Sequence, residues 1–126
     1  MCGIFAYAGS ENAVPLLIDG LRAVEYRGYD SAGISVIDAS GVIQTIKRGD
    51  NKASLENLAT ALGDGSLSGG VGIGHTRWAT HGEVNQQNSH PHSSNNGQVS
   101  IAHNGIIENF LDLKDELVAT GIKFQS

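Results

Sequence analysis

Apolar positions along the chain keep two spacings, and the points where one gives way to the other mark the elements. A short apolar run over residues 4–9, closed by Gly9 and Ser10, predicts a buried strand. Val14, Leu17, Leu21 and Val24 then recur at three- and four-residue intervals, which predicts a helix. Asn12 is its expected N-cap, and Pro15 falls in the first turn, where a missing N–H is tolerated. The helix is expected to stop near Arg27 and Gly28. β-Branched runs over 32–37 and 42–47, separated by Asp38, Ala39, Ser40 and Gly41, predict a hairpin. Leu55, Leu58 and Leu62 share one face of a second, weaker helix over 54–62.

Residues 63–70 are too rich in glycine and serine for regular structure and predict a loop. A strand resumes over 71–76, where Gly72 and Gly74 leave one face bare for the close approach of another backbone or a ligand. From 77 to 96 the chain is polar, rich in histidine and almost without aliphatics, so it is expected to stay outside the core, in a long loop of the kind that carries function. Residues 99–103 predict another strand, followed by Asn104 and Gly105. A helix then presents Ile106, Phe110, Leu113 and Leu117 on one face, capped by Gly121, and residues 122–124 predict a further strand. Strands and helices in this order predict an α+β fold with the two kinds of element in separate layers.

Composition narrows the function more than the fold. With 126 residues, 40% of them hydrophobic and 17% charged, the chain fits one domain with a modest core. Thirteen acidic against eight basic residues leave a formal charge of −5 with no basic cluster, which argues against nucleic acid or an anionic membrane and for a small polar substrate. No apolar run reaches the roughly 18 residues of a membrane span, and the first residues lack the basic and apolar regions of a signal peptide, so the expected location is cytoplasmic. The lone cysteine excludes an internal disulfide.

That cysteine is Cys2, directly behind Met1. Removal of Met1 would put a thiol and a free α-amine on one residue. An α-amine titrates near roughly 7.7 to 8.0, so it can serve as the base a thiol nucleophile needs, directly or through one water. The alternative is a small apolar residue at the head of a first strand. Asn104 and Gly105 offer an amide N–H₂ and a backbone N–H, which suit an oxyanion, although Asn-Gly is also a common tight turn. Arg77 suits a carboxylate through two parallel hydrogen bonds, or is a surface arginine. Arg27 and Asp30 read as an ion pair shaping a turn. His75, His81, His90 and His92 with Cys2 raise the alternative of a zinc site, but their spacing matches no common zinc framework, and no metal or cofactor is expected. His75 and His103 read as hydrogen-bonded structural residues.

Four stretches together are specific: Cys2-Gly3-Ile4, residues 26–33 from Tyr26 to Gly33, residues 75–82 from His75 to Gly82, and His103-Asn104-Gly105. In them the chain resembles the class II glutamine amidotransferases, the N-terminal nucleophile group. Within that group the wording is similar to the members that pass ammonia to fructose-6-phosphate. The resemblance implies a layered α/β/β/α sandwich, with residues 1–126 as the N-terminal portion of a glutaminase domain and the isomerase domain absent. It implies that Cys2 attacks the side-chain amide of L-glutamine, that Asn104 and Gly105 form the oxyanion hole, and that Arg27 and Gly28 pack beside the nucleophile. Arg77 would hold the α-carboxylate of glutamine, with Trp78, Thr80, His81 and His90 as further substrate contacts in a segment that closes over it. Fructose-6-phosphate would be a partner only of a full-length enzyme. Another class II amidotransferase, or a non-catalytic module whose exposed strand edges pair with a second copy as a homo-oligomer, are the alternatives.

Overall fold

The computed structural model describes residues 2–49 and 53–126; the expected removal of Met1 concerns a residue outside them. Four antiparallel strands form the main sheet: β1 (Gly3–Ala8), β2 (Ser31–Ile37), β3 (Ile43–Arg48) and β4 (Val71–Arg77), in the order β1-β4-β2-β3. Helices α1 (Ala13–Val24) and α2 (Ser54–Leu62) cover one face. The Asn12 side chain accepts from the Val14 N–H, the local cap its position predicted. A single 3₁₀ turn at Glu25–Arg27 and an extended Gly28 end α1 where expected.

The core lies between these helices and the sheet. Leu17, Leu21, Leu55 and Leu58 pack against Ala32, Ile34 and Val36, all almost wholly excluded from solvent. On β4 the helix-facing positions are Gly72 and Gly74. A Cβ there would come within 2.8 Å of Leu17 and 2.9 Å of Leu21, so the bare face admits α1 rather than a ligand. The alternation of β4 therefore sends His75 and Arg77 to the opposite face.

A two-stranded sheet, β5 (His92–Ser93) with β6 (Ser100–Ile101), lies over that opposite face. Ser35 hydrogen-bonds Thr45 and Ser100, each at 2.7 Å, and Thr45 meets Ser93 at 3.3 Å, so hydroxyls tie the layers together. The third helix, α3 (Phe110–Ala119), buries none of its residues. Gly121, at φ 91°, ends it with its N–H on the Val118 carbonyl.

Four expectations change. β1 forms, but Ile4 and Phe5 are 42% and 36% exposed, because β1 is an edge strand and has a neighbour only on one side. The strand expected over 99–103 shortens to two residues, and 122–124 has no ladder partner among the described residues and forms no strand. The polar stretch 77–96 is also less peripheral than its composition suggests. Ser89 and Pro91 are buried, with Lys47 donating to the Ser89 carbonyl at 2.9 Å and Ser89 Oγ donating to the Asn85 carbonyl at 2.7 Å. Hydrogen bonds make burial of such a segment tolerable.

Candidate active site

The edge position of β1 puts its first residues at the rim of the sheet. Gly3 pairs with Thr76 and Ile4 with His75, and alternation along β1 turns Cys2 to the same face as His75 and Arg77. There the Trp78 N–H donates to Cys2 Sγ at 3.3 Å, while Sγ lies 3.7 Å from the Trp78 carbonyl. The thiol is thus held at the point where β4 becomes loop.

That point is itself fixed from behind. The Asp30 N–H donates to the Arg77 carbonyl at 3.0 Å, and its carboxylate accepts from the Ala79 N–H at 2.8 Å, so one residue grips the peptides on either side of Trp78. Asp30 spends its carboxylate on a backbone donor, where the sequence suggested an ion pair with Arg27. Gly28 is buried against the Arg77–Trp78 peptide, and a Cβ on it would sit 2.5 Å from the Arg77 carbonyl carbon. It lets the backbone close in on the segment that holds the thiol. Arg27 is half-buried one residue earlier and does not line the cleft described next.

A cleft of about 380 Å³ opens at the sulfur. Cys2, Asn104, Gly105, Arg77, Trp78, Thr80, His81 and His90 all line it, so eight of the ten site residues expected from sequence converge there. Asn104 donates from Nδ2 to the Cys2 carbonyl at 3.1 Å. Gly105 follows directly, with His103 beside it. Arg77 is 8% exposed, and its guanidinium donates to the His81 and Glu83 carbonyls, the latter at 3.0 Å. Two of its five donors therefore hold the loop over residues 81–83, and the others are left for a ligand or other partners. Thr80 Oγ1 lies 3.1 Å from His81 Nδ1.

Three of the histidines pack ring against ring, His75 tilted on His90 and His90 edge-on to His92. The His75 and His90 ring centroids are 4.5 Å apart, as are those of His90 and His92. Among the described residues no group of three His, Cys, Asp or Glu side chains could hold a metal ion. Burial pushes His75 down to about 4, against the opposing hydrogen bond to Asn104, and pushes His90 down to about 3, with His75, His92 and Arg77 adding to the shift. Both rings are neutral at pH 7. The folded state resists protonation while the unfolded chain takes up protons near 6.5, so stability is present above pH 6.5 and falls as the pH drops toward 4. For His75 the expected loss is on the order of 1 kcal/mol per pH unit in that window. Urea midpoints measured between pH 7 and 4 check this; a flat profile is the contrary result.

The glutamine amidotransferase domain family matches residues 64–126, half of the chain. The chain belongs to the glutamine amidotransferase family. It is 49% identical over 126 residues to a glutamine–fructose-6-phosphate aminotransferase (isomerizing) of Clostridium tetani, and 51% identical to the protein of the same name from Thermus thermophilus. Both matches cover 100% of this chain and 20% of the relative, so the chain spans about a fifth of the length of these curated relatives.

Among solved structures it is similar to a glutamine phosphoribosylpyrophosphate amidotransferase from B. subtilis complexed with ADP and GMP. There the TM-score is 0.78 at 30% identity, over 99% of this chain and 26% of that one. It also matches a structure described as the allosteric regulatory enzyme of purine biosynthesis, at TM-score 0.80 and 29% identity, over 100% and 27%. The N-terminal nucleophile fold expected from sequence is borne out by these likenesses. Two residues at this cleft escaped the sequence reading in their contacts, His75 and Asp30. Both read as local structure, and no spacing links either to its partner at Asn104 or Ala79.

Proposed function

We propose that the chain is the N-terminal portion of a glutaminase domain in which Cys2 attacks the side-chain amide carbon of L-glutamine. The observation that carries this reading is the thiol itself, which lines a cleft with the Asn104 amide and the Gly105 backbone beside it. Once Met1 is removed, the α-amine of Cys2 takes the thiol proton as the sulfur attacks, which forms the S–C bond and an oxyanion for which Asn104 and Gly105 are the donors. Collapse breaks the C–N bond as the α-ammonium returns that proton to the leaving nitrogen and ammonia departs; the γ-glutamyl thioester left behind is hydrolysed by water to glutamate. Arg77 grips the α-carboxylate with donors it does not use on the loop, and Trp78, Thr80, His81 and His90 complete the pocket. Arg27 and Gly28 support the thiol from behind.

Identities of 49% and 51% to aminotransferases named for fructose-6-phosphate support that sugar phosphate as the ammonia acceptor in a longer enzyme. The described residues contain no helix long and apolar enough to cross a membrane. A formal charge of −5 without a basic cluster supports a cytoplasmic enzyme that takes neither nucleic acid nor an anionic membrane as partner. The unpaired edges of β1 and β3 leave room for a homo-oligomer.

Incubation with a glutamine-mimicking diazoketone, followed by intact and peptide mass spectrometry, tests the reading. A single adduct on Cys2 in protein that lacks Met1 is expected. No adduct, or one on a histidine, sinks it.

A further inference from the structure

His75 is 1% exposed and Asn104 is exposed, yet they meet. His75 Nε2 lies 2.8 Å from Asn104 Oδ1, while Asn104 Nδ2 donates to the Cys2 carbonyl. We propose that His75 is a positioning residue for the glutaminase reaction: its ring donates to the Asn104 carbonyl oxygen and so fixes which end of that amide faces the oxyanion.

This rests on the reading of Asn104 as an oxyanion donor and adds what aims it. An exposed asparagine has little packing to choose between its two amide orientations, because the oxygen and nitrogen ends have nearly the same shape. Hydrogen bonds must choose. Oδ1 can only accept, so the nitrogen facing it must carry a proton, and the ring, kept neutral by burial, has one proton to place. The other ring nitrogen, Nδ1, is buried and has no hydrogen-bond partner among the described residues. A proton there would bury an unanswered N–H and set two lone pairs face to face across 2.8 Å. The Nε2–H form avoids both. With Oδ1 held by His75, the N–H₂ end is turned to the nucleophile's side, one N–H on the Cys2 carbonyl and the second left for the oxyanion. The flipped amide would instead present a lone pair to a developing negative charge.

In the full chain, His75→Leu is expected to lower kcat for glutamine hydrolysis about 10- to 100-fold with KM held within about threefold, since donor aim matters only once the oxyanion forms. His75→Gln, whose amide N–H reaches about as far as Nε2–H, is expected to restore most of the loss. Alkylation of Cys2 by iodoacetamide, a displacement that builds no oxyanion, should run at the same rate in all three proteins. Nitrogen NMR of the unsubstituted protein should find His75 protonated on Nε2, whatever the variants do to folding. Unchanged kcat in His75→Leu, a proton on Nδ1, or a loss that His75→Gln does not relieve and that takes Cys2 alkylation down with it overturns the proposal. Asn104→Ala separates the two layers. If it costs activity while His75→Leu does not, only the positioning role fails; if it costs nothing, the oxyanion reading itself has failed.

Discussion

Replacing Cys2 by alanine is expected to lower glutamine hydrolysis by on the order of 10⁴- to 10⁶-fold, the scale seen when a nucleophile is removed from a covalent mechanism. The fold should survive. Cys2 is only partly buried, its side chain contacts the Trp78 backbone alone in hydrogen bonding, and the core leucines lie on the far face of the sheet. The variant should therefore melt close to the parent protein and still bind glutamine, because Arg77, Thr80 and His81 are untouched. Measuring glutamate release beside glutamine affinity separates the two effects. Ammonia release at the parent rate would remove Cys2 from the chemistry.

The second large effect is expected at Asn104. On the proposed reading Asn104→Ala deletes an oxyanion donor together with its hydrogen bond to the Cys2 carbonyl, so kcat should fall about 10²- to 10³-fold with KM little changed. Asn104→Asp should be worse than alanine, since a carboxylate would set like charge against the oxyanion. Steady-state kinetics on the pair decides it. An aspartate variant as active as the parent, or a loss confined to KM, would move Asn104 from the oxyanion to ground-state binding.

Ten residues were expected at the site, Trp78, Thr80, His81 and His90 among them only from the resemblance to the class II glutamine amidotransferases, and eight of the ten share the cleft. For an Asn-Gly pair after a strand, residue type added a donor to offer. Gly28 stands behind the Arg77–Trp78 peptide, and neither it nor Arg27 lines the cleft. The sequence told of their neighbourhood but not of the peptide lying between Gly28 and the sulfur.

Local order set most of the elements. The helix cap at Asn12, the hairpin at Asp38 and the span of α2 depend on contacts within a few residues, so the chain states them directly. Long-range pairing was silent by comparison. The sequence could not tell that β1 is an edge strand, because edge or centre depends on where residues 71–77 insert. Nor could it tell that Ser89 is buried, because the Lys47 ammonium that donates to its carbonyl comes from across a fold that must first exist.

By itself the sequence determined the helices and hairpin, which are written in residue type and short spacing, while its resemblance to the class II glutamine amidotransferases pointed to Cys2 and to the chemistry proposed for it. Only the tertiary structure decided that His75 meets Asn104 across 29 positions and that Asp30 and Gly28 brace the peptide at the thiol. Chain closure brings such pairs together, and nothing in the local pattern of either partner encodes the other.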